Sequence, residues 1–140
     1  MGNSMGSAQI GELDGCRVLI LEDEYFLAAD LVKELDSRGA RIVGPISDLG
    51  TAQAQMSRDG FDVAVIDVKL GDEFAWSIAD RLMREDIPFI FVTGYRAADM
   101  PERFRSITTL EKPCDMSSLS EGIRLLCPLS KAKHQVQVGA

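Results

Sequence analysis

VLILED, residues 18–23, is an apolar run that ends abruptly in two carboxylates. Three further runs share this form: VAVI leads to Asp67, FIFV to Thr93, and ITTLE to Lys112. Each is short and rich in β-branched residues, the composition of a strand buried on both faces, and such strands belong to parallel sheets covered by helices. In open parallel sheets, ligands bind at the carboxyl ends of the strands. Glu22, Asp23, Asp67, Thr93 and Lys112 are therefore expected in one crevice despite their separation along the chain.

Between these runs the sequence reads as helix. Tyr25 to Arg38 carries Leu27, Ala28, Leu31, Val32 and Leu35 on one stripe, and Gly39 follows at the position that ends a helix. Arg41 to Val43 reads as a second strand stopped by Gly44 and Pro45, and Ser47 or Asp48 is placed to cap the helix that uses Leu49, Ala52 and Met56. A third helix is predicted from about Glu73 to Arg84 with Phe74, Ile78 and Leu82 inward, and a last one from Asp115 with Met116, Leu119, Ile123 and Leu126 inward. The third strand is expected over 61–67, the fourth over 89–93 and the fifth over 107–111. The stretch 95–106 lacks apolar periodicity and holds Pro101, which costs a helix interior roughly 3 kcal/mol. A short or distorted helix is expected there.

The fold class that follows is α/β, a doubly wound five-stranded parallel sheet with right-handed crossovers and strand order 2-1-3-4-5. A chain of 140 residues, 46% hydrophobic and 26% charged, buries one core. Residues 1–15 are read as a flexible lead, 16–127 as the domain and 128–140 as a flexible tail. The formal charge of −7 argues against nucleic acid as a partner, because binding the phosphate backbone needs a basic face. No apolar stretch approaches the roughly 20 residues that span a bilayer, and a cytoplasmic protein with no membrane partner is expected. Cys16, Cys114 and Cys127 are odd in number and far apart, so neither a disulfide framework nor a zinc site is expected. Idle or buried thiols are the reading.

Charge dictates the chemistry. Glu22, Asp23 and Asp67 placed together repel one another, and a divalent cation is the natural neutraliser. Mg2+ suits hard oxygen ligands and bridges carboxylates to phosphate oxygens. Asp67 is then a nucleophile toward a phosphoryl group, Lys112 balances one phosphoryl oxygen, and the Thr93 hydroxyl donates to another. The backbone carbonyl of Lys69 is a further candidate metal ligand. A haloacid-dehalogenase type of phosphatase also begins with a strand-end aspartate but requires a second Asp two residues later, where this chain has Lys69.

LILEDE, VIDVKL, FVTGY and LEKP, in that order, resemble the response-regulator receiver domain of two-component signalling, over residues from about 16 to 127. The resemblance implies that Glu22 and Asp23 are the acidic pair, with Glu22 acting on Mg2+ through water. It makes Asp67 the phosphoacceptor, Thr93 the switch hydroxyl and Lys112 the site lysine before Pro113. The stretch Phe91-Val92-Thr93-Gly94-Tyr95 is similar to the FATGUY branch, with valine where alanine is usual. Many receivers carry a switching aromatic three residues before the lysine; Thr109 stands there, and Tyr95 is the candidate substitute. The implied partners are a sensor histidine kinase or histidine phosphotransfer protein, docking by the first helix and the loop after the fifth strand, and a downstream protein. The implied function is a single-domain response regulator that accepts phosphoryl on Asp67 and signals by protein–protein interaction or phosphorelay, with at most slow autodephosphorylation. The alternative is a receiver-like scaffold or antagonist that works without phosphorylation.

Overall fold

The computed structural model describes residues 11–127 of the chain. Five strands form one parallel sheet: β1 (Arg17–Leu21), β2 (Arg41–Ile46), β3 (Val63–Asp67), β6 (Phe89–Thr93) and β7 (Thr109–Glu111). Their spatial order is β2-β1-β3-β6-β7, the expected 2-1-3-4-5 when the sheet strands alone are counted. Four helices flank the sheet, α1 (Tyr25–Ser37), α2 (Leu49–Arg58), α3 (Trp76–Arg84) and α4 (Met116–Leu126). A two-stranded antiparallel hairpin, β4 (Lys69–Leu70) with β5 (Glu73–Phe74), follows β3 directly.

Side-chain alternation divides the core into two layers. Val18, Ile20, Val63, Val65, Ile90 and Val92 face Leu31 and Leu35 of α1 and Leu119 and Ile123 of α4. Leu19, Leu21, Ala64, Ile66, Phe89 and Phe91 face Ala52 and Met56 of α2 and Ile78 and Leu82 of α3. Because both faces are covered, the three central strands read as continuous apolar runs.

Helix ends follow their capping chemistry. Asp48 accepts from Thr51 N–H at 2.8 Å and Asp115 from Ser118 N–H at 2.8 Å, each satisfying a free first-turn donor. Gly39 (φ +99°) ends α1, with Gly39 N–H donating to Asp36 O and Ala40 N–H to Leu35 O, the paired bonds of a Schellman motif. A Cβ there would stand 1.9 Å from Asp14 Oδ1, so any side chain would add a clash with Asp14 to the strain of the positive φ.

Several expectations are corrected. β2 continues through Gly44 and Pro45 to Ile46; it is an edge strand, where a proline costs no ladder bond, and the register with β1 shifts between Leu19 and Leu21. α3 begins at Trp76 rather than Glu73, and Phe74 lies in the hairpin, 42% exposed rather than inward. β3 and β7 each begin two residues later than expected, at Val63 and Thr109. The irregular segment holds two 3-10 turns, Ala97–Asp99 and Glu102–Phe104, and Phe104 is fully buried.

The cysteine reading is corrected as well. Cys16 and Cys127 form a disulfide, while Cys114 is free and half-buried. The packed domain also starts ahead of Cys16, since Leu13 is fully buried and its N–H donates to Arg38 O at 2.8 Å. Residues 1–10 of the expected lead and the whole expected tail, 128–140, lie outside the described residues. Among the described residues, no helix is long and apolar enough to cross a membrane.

Candidate functional site

The sheet order reverses between β1 and β3, whose chains lead to β2 on one side and β6 on the other. A crevice opens at the carboxyl ends of strands at such a switch point. Glu22 follows β1 there, Asp67 ends β3, Thr93 ends β6 and Lys112 follows β7. Backbone pairing fixes the last two against each other: Lys112 N–H donates to Thr93 O at 2.7 Å.

Lys112 is the hub. Its Nζ donates to Asp67 Oδ2 at 3.0 Å and to Glu22 Oε2 at 3.4 Å, and it is also bonded to the Glu24 carboxylate. Glu22 and Asp67 are buried, 2% and 5% exposed, whereas Glu24 is exposed. Burial pushes the Glu22 carboxyl up to about 8, and the neighbouring Asp67 adds to the rise. For Lys112, burial opposes the charge, but the carboxylates of Glu24, Asp67 and Glu22 outweigh it and hold the ammonium above its ordinary range.

The donor set fits a hard divalent cation. Carboxylate oxygens of Glu22, Glu24 and Asp67 lie within 4.8 Å of one another. Glu22 Oε1 is buried with no hydrogen-bond donor, an unused acceptor on a member of this cluster. Asp23, the other half of the expected acidic pair, is exposed, and its Oδ2 accepts from Gly71 N–H at 2.8 Å. It thereby ties the β1 loop to the hairpin after Asp67. Glu24 is the member of the cluster that sequence reasoning missed; its signal was its place in an unbroken acidic run, obscured because a helix start also favours carboxylates.

The expected switch residues lie on the other flank. Thr93 is buried, and its hydroxyl accepts from Tyr95 N–H at 3.0 Å, so the hydroxyl is turned to backbone. Thr109, at the start of β7, donates its hydroxyl to Ile107 O at 3.2 Å and sits opposite Phe91. Tyr95 is 41% exposed and ends an aromatic array: its ring is 6.0 Å from Phe74, which stacks on Trp76 at 5.4 Å, which stacks on Phe104 at 5.5 Å. The Lys69 ammonium stands over Phe74, 5.8 Å from the ring centre, while Lys69 N–H donates to Asp67 Oδ1 at 3.3 Å. Beside the acidic cluster, Tyr25 and Phe26 open α1 at 78% and 80% exposure, edge to face at 5.3 Å.

No protein-family model matches the sequence, and no curated protein matches it. Solved structures do. The fold is similar to that of the response regulator PhyR from Brucella abortus, at 21% identity over 90% of this chain and 54% of that one, with a TM-score of 0.72. The chain thus spans about half the length of that protein. It is similar to a response regulator receiver domain (CheY-like) from Methylobacillus flagellatus, at 24% identity over 79% of this chain and 98% of that one, TM-score 0.68. It is also similar to SdrG from Sphingomonas melonis Fr1, at 32% identity over 79% of this chain and 95% of that one, TM-score 0.63.

Proposed function

The chain belongs to the response-regulator receiver domains, and we propose that Asp67 takes a phosphoryl group from the phosphohistidine of a sensor histidine kinase or a histidine phosphotransfer protein. One observation carries this reading: a buried carboxylate ends the central strand with an ammonium 3.0 Å from one of its oxygens. An Asp67 oxygen attacks phosphorus, the phosphorus–nitrogen bond breaks, and its electron pair leaves with the imidazole. Lys112, already beside Asp67, takes up charge on a phosphoryl oxygen. Glu22, Asp67, Asp23 and the Lys69 carbonyl are the groups that would hold Mg2+, while Glu24 pairs with Lys112 from the solvent side. When bound, Mg2+ neutralises the carboxylates against the incoming phosphoryl oxygens.

The output is a change of surface. A phosphoryl oxygen gives the Thr93 O–H an acceptor, and rotation of the hydroxyl toward it draws the oxygen away from Tyr95 N–H and frees Tyr95 against Phe74. The downstream reader is a protein rather than nucleic acid. Tyr25 and Phe26, exposed at the rim of the site, suit the docking of the phosphoryl donor. Lys69, held over Phe74, is placed to set how slowly the aspartyl phosphate hydrolyses.

A second reading, a binding module that works without phosphorylation, draws on the Lys112 ion cluster, which offsets part of the site's charge internally. Beryllofluoride, a phosphoryl mimic, separates the two. With Mg2+ present it is expected to shift the amide resonances of Thr93, Tyr95 and Lys112 in the wild-type chain and not in Asp67→Asn. An unchanged wild-type spectrum would favour the binding module.

A further inference from the structure

Cys16 and Cys127 stand 111 residues apart in sequence, yet their Cα atoms are 6.4 Å apart and their sulfurs are bonded. Cys16 immediately precedes β1, and Cys127 caps α4, donating its N–H to Ile123 O at 2.9 Å. Both side chains are buried in the layer that α1 and α4 share, among Leu13, Leu119 and Ile123. The bond therefore staples the end of α4 to the foot of the sheet.

We propose that Cys16 and Cys127 are a thiol–disulfide exchange site, whose oxidant is a low-molecular-weight disulfide and whose product locks α4 onto β1. This goes beyond phosphoacceptance and does not rest on it. Before the last turn of α4 closes over the sulfurs, a thiolate of one cysteine attacks the small disulfide, forming a mixed disulfide and releasing one small thiolate. The second cysteine then displaces the other small thiol. Overall, two protein S–H bonds are lost, one S–S bond forms, and the small disulfide is reduced to two thiols.

Three observations favour the bonded state in the closed fold. The sulfurs are buried in apolar surroundings that do not solvate a thiolate. A carboxylate oxygen of Asp62 lies within 4.8 Å of them, a charge that a neutral disulfide tolerates and a thiolate does not. Asp62 is in turn held by Arg17, whose backbone N–H donates to it at 2.8 Å and whose guanidinium pairs with it. The third cysteine does not compete. Cys114 lies at the opposite end of α4, about 16 Å away along an eleven-residue helix, and burial raises its thiol above the ordinary range.

The lock has a specific reach. α4 is capped by Asp115, three residues after Lys112, at one end and by Cys127 at the other. Redox state at its foot and events at Lys112 therefore act on the two ends of one helix.

The test uses the full chain, incubated with oxidised or reduced glutathione, acid-quenched, alkylated in denaturant and weighed. After oxidation one thiol is expected to alkylate, at Cys114, with a linked peptide pair containing Cys16 and Cys127; after reduction all three alkylate. Cys114→Ser should retain the linkage, and Cys127→Ser should lose it. Three alkylated thiols after oxidation, glutathione adducts alone, or a linkage through Cys114 would overturn the proposal. Hydrogen exchange on the wild-type chain in both forms needs no variant to fold: reduction should speed exchange in the last turn of α4 by about tenfold or more, leaving β3 and β6 unchanged. Equal exchange in the two forms would overturn the lock. Neither readout involves Asp67, so failure here is separate from failure of phosphoacceptance.

Discussion

Lys112 Nζ and Asp67 Oδ2 are 3.0 Å apart although the residues are 45 positions apart in sequence. The contact balances part of a carboxylate cluster that the sheet brings together without regard to repulsion. Removing either partner should therefore move stability in opposite directions. In metal-free buffer, Asp67→Asn is expected to raise the urea midpoint, and Lys112→Ala to lower stability by about 1–3 kcal/mol, because two buried carboxylates lose their cation. Equal destabilisation by both would contradict the charge balance drawn here.

Glu22 gives the metal-free protein an unusual pH dependence. Its folded carboxyl is raised from 4.5 to about 8, so over that window the folded state binds a proton that the unfolded state has released. Its contribution is fully present below about pH 4.5 and is lost as pH rises toward 8. Stability measured in chelator should carry this falling component, and Glu22→Gln should remove it. Identical slopes in the two proteins would refute the assignment.

Glu24 holds Lys112 from the solvent side. An incoming phosphoryl group must share or displace that contact, and exposed ion pairs are worth up to about 1 kcal/mol, or roughly fivefold in rate. Glu24→Gln is expected to speed phosphorylation by acetyl phosphate roughly two- to fivefold. A slower reaction would instead make Glu24 part of the cation site.

Phe26 separates docking from chemistry. Phe26→Ala should slow phosphoryl transfer from a histidine-bearing protein while leaving the reaction with acetyl phosphate unchanged, because the side chain is exposed and outside the acidic cluster. Equal rates with both donors would place the docking surface elsewhere.

Most of what positions the site could be read from the chain. The strand ends at Asp67 and Thr93, a cap at Ser47 or Asp48, the start of the last helix at Asp115, and the stop at Gly39 all rest on local chemistry that neighbours do not override. The failures have physical causes. DEFAW keeps helix-compatible spacing, but Phe74 pairs in the hairpin and stacks on Trp76 at the start of α3 instead of facing the sheet. Pro45 did not stop β2 because an edge strand spares that donor. The pairing of Cys16 with Cys127 depends on α4 ending beside the start of β1, which no spacing reveals. Glu24 joined Lys112 by side-chain reach from a helix start, a contact set by the tertiary fold.

The central claim is that Asp67 accepts a phosphoryl group. Its most direct test is the intact mass of the purified chain after incubation with acetyl phosphate and Mg2+. One phosphoryl-sized gain is predicted in the wild-type chain, absent in Asp67→Asn and absent in chelator. No gain in the wild-type chain, or a gain that survives Asp67→Asn, would contradict it.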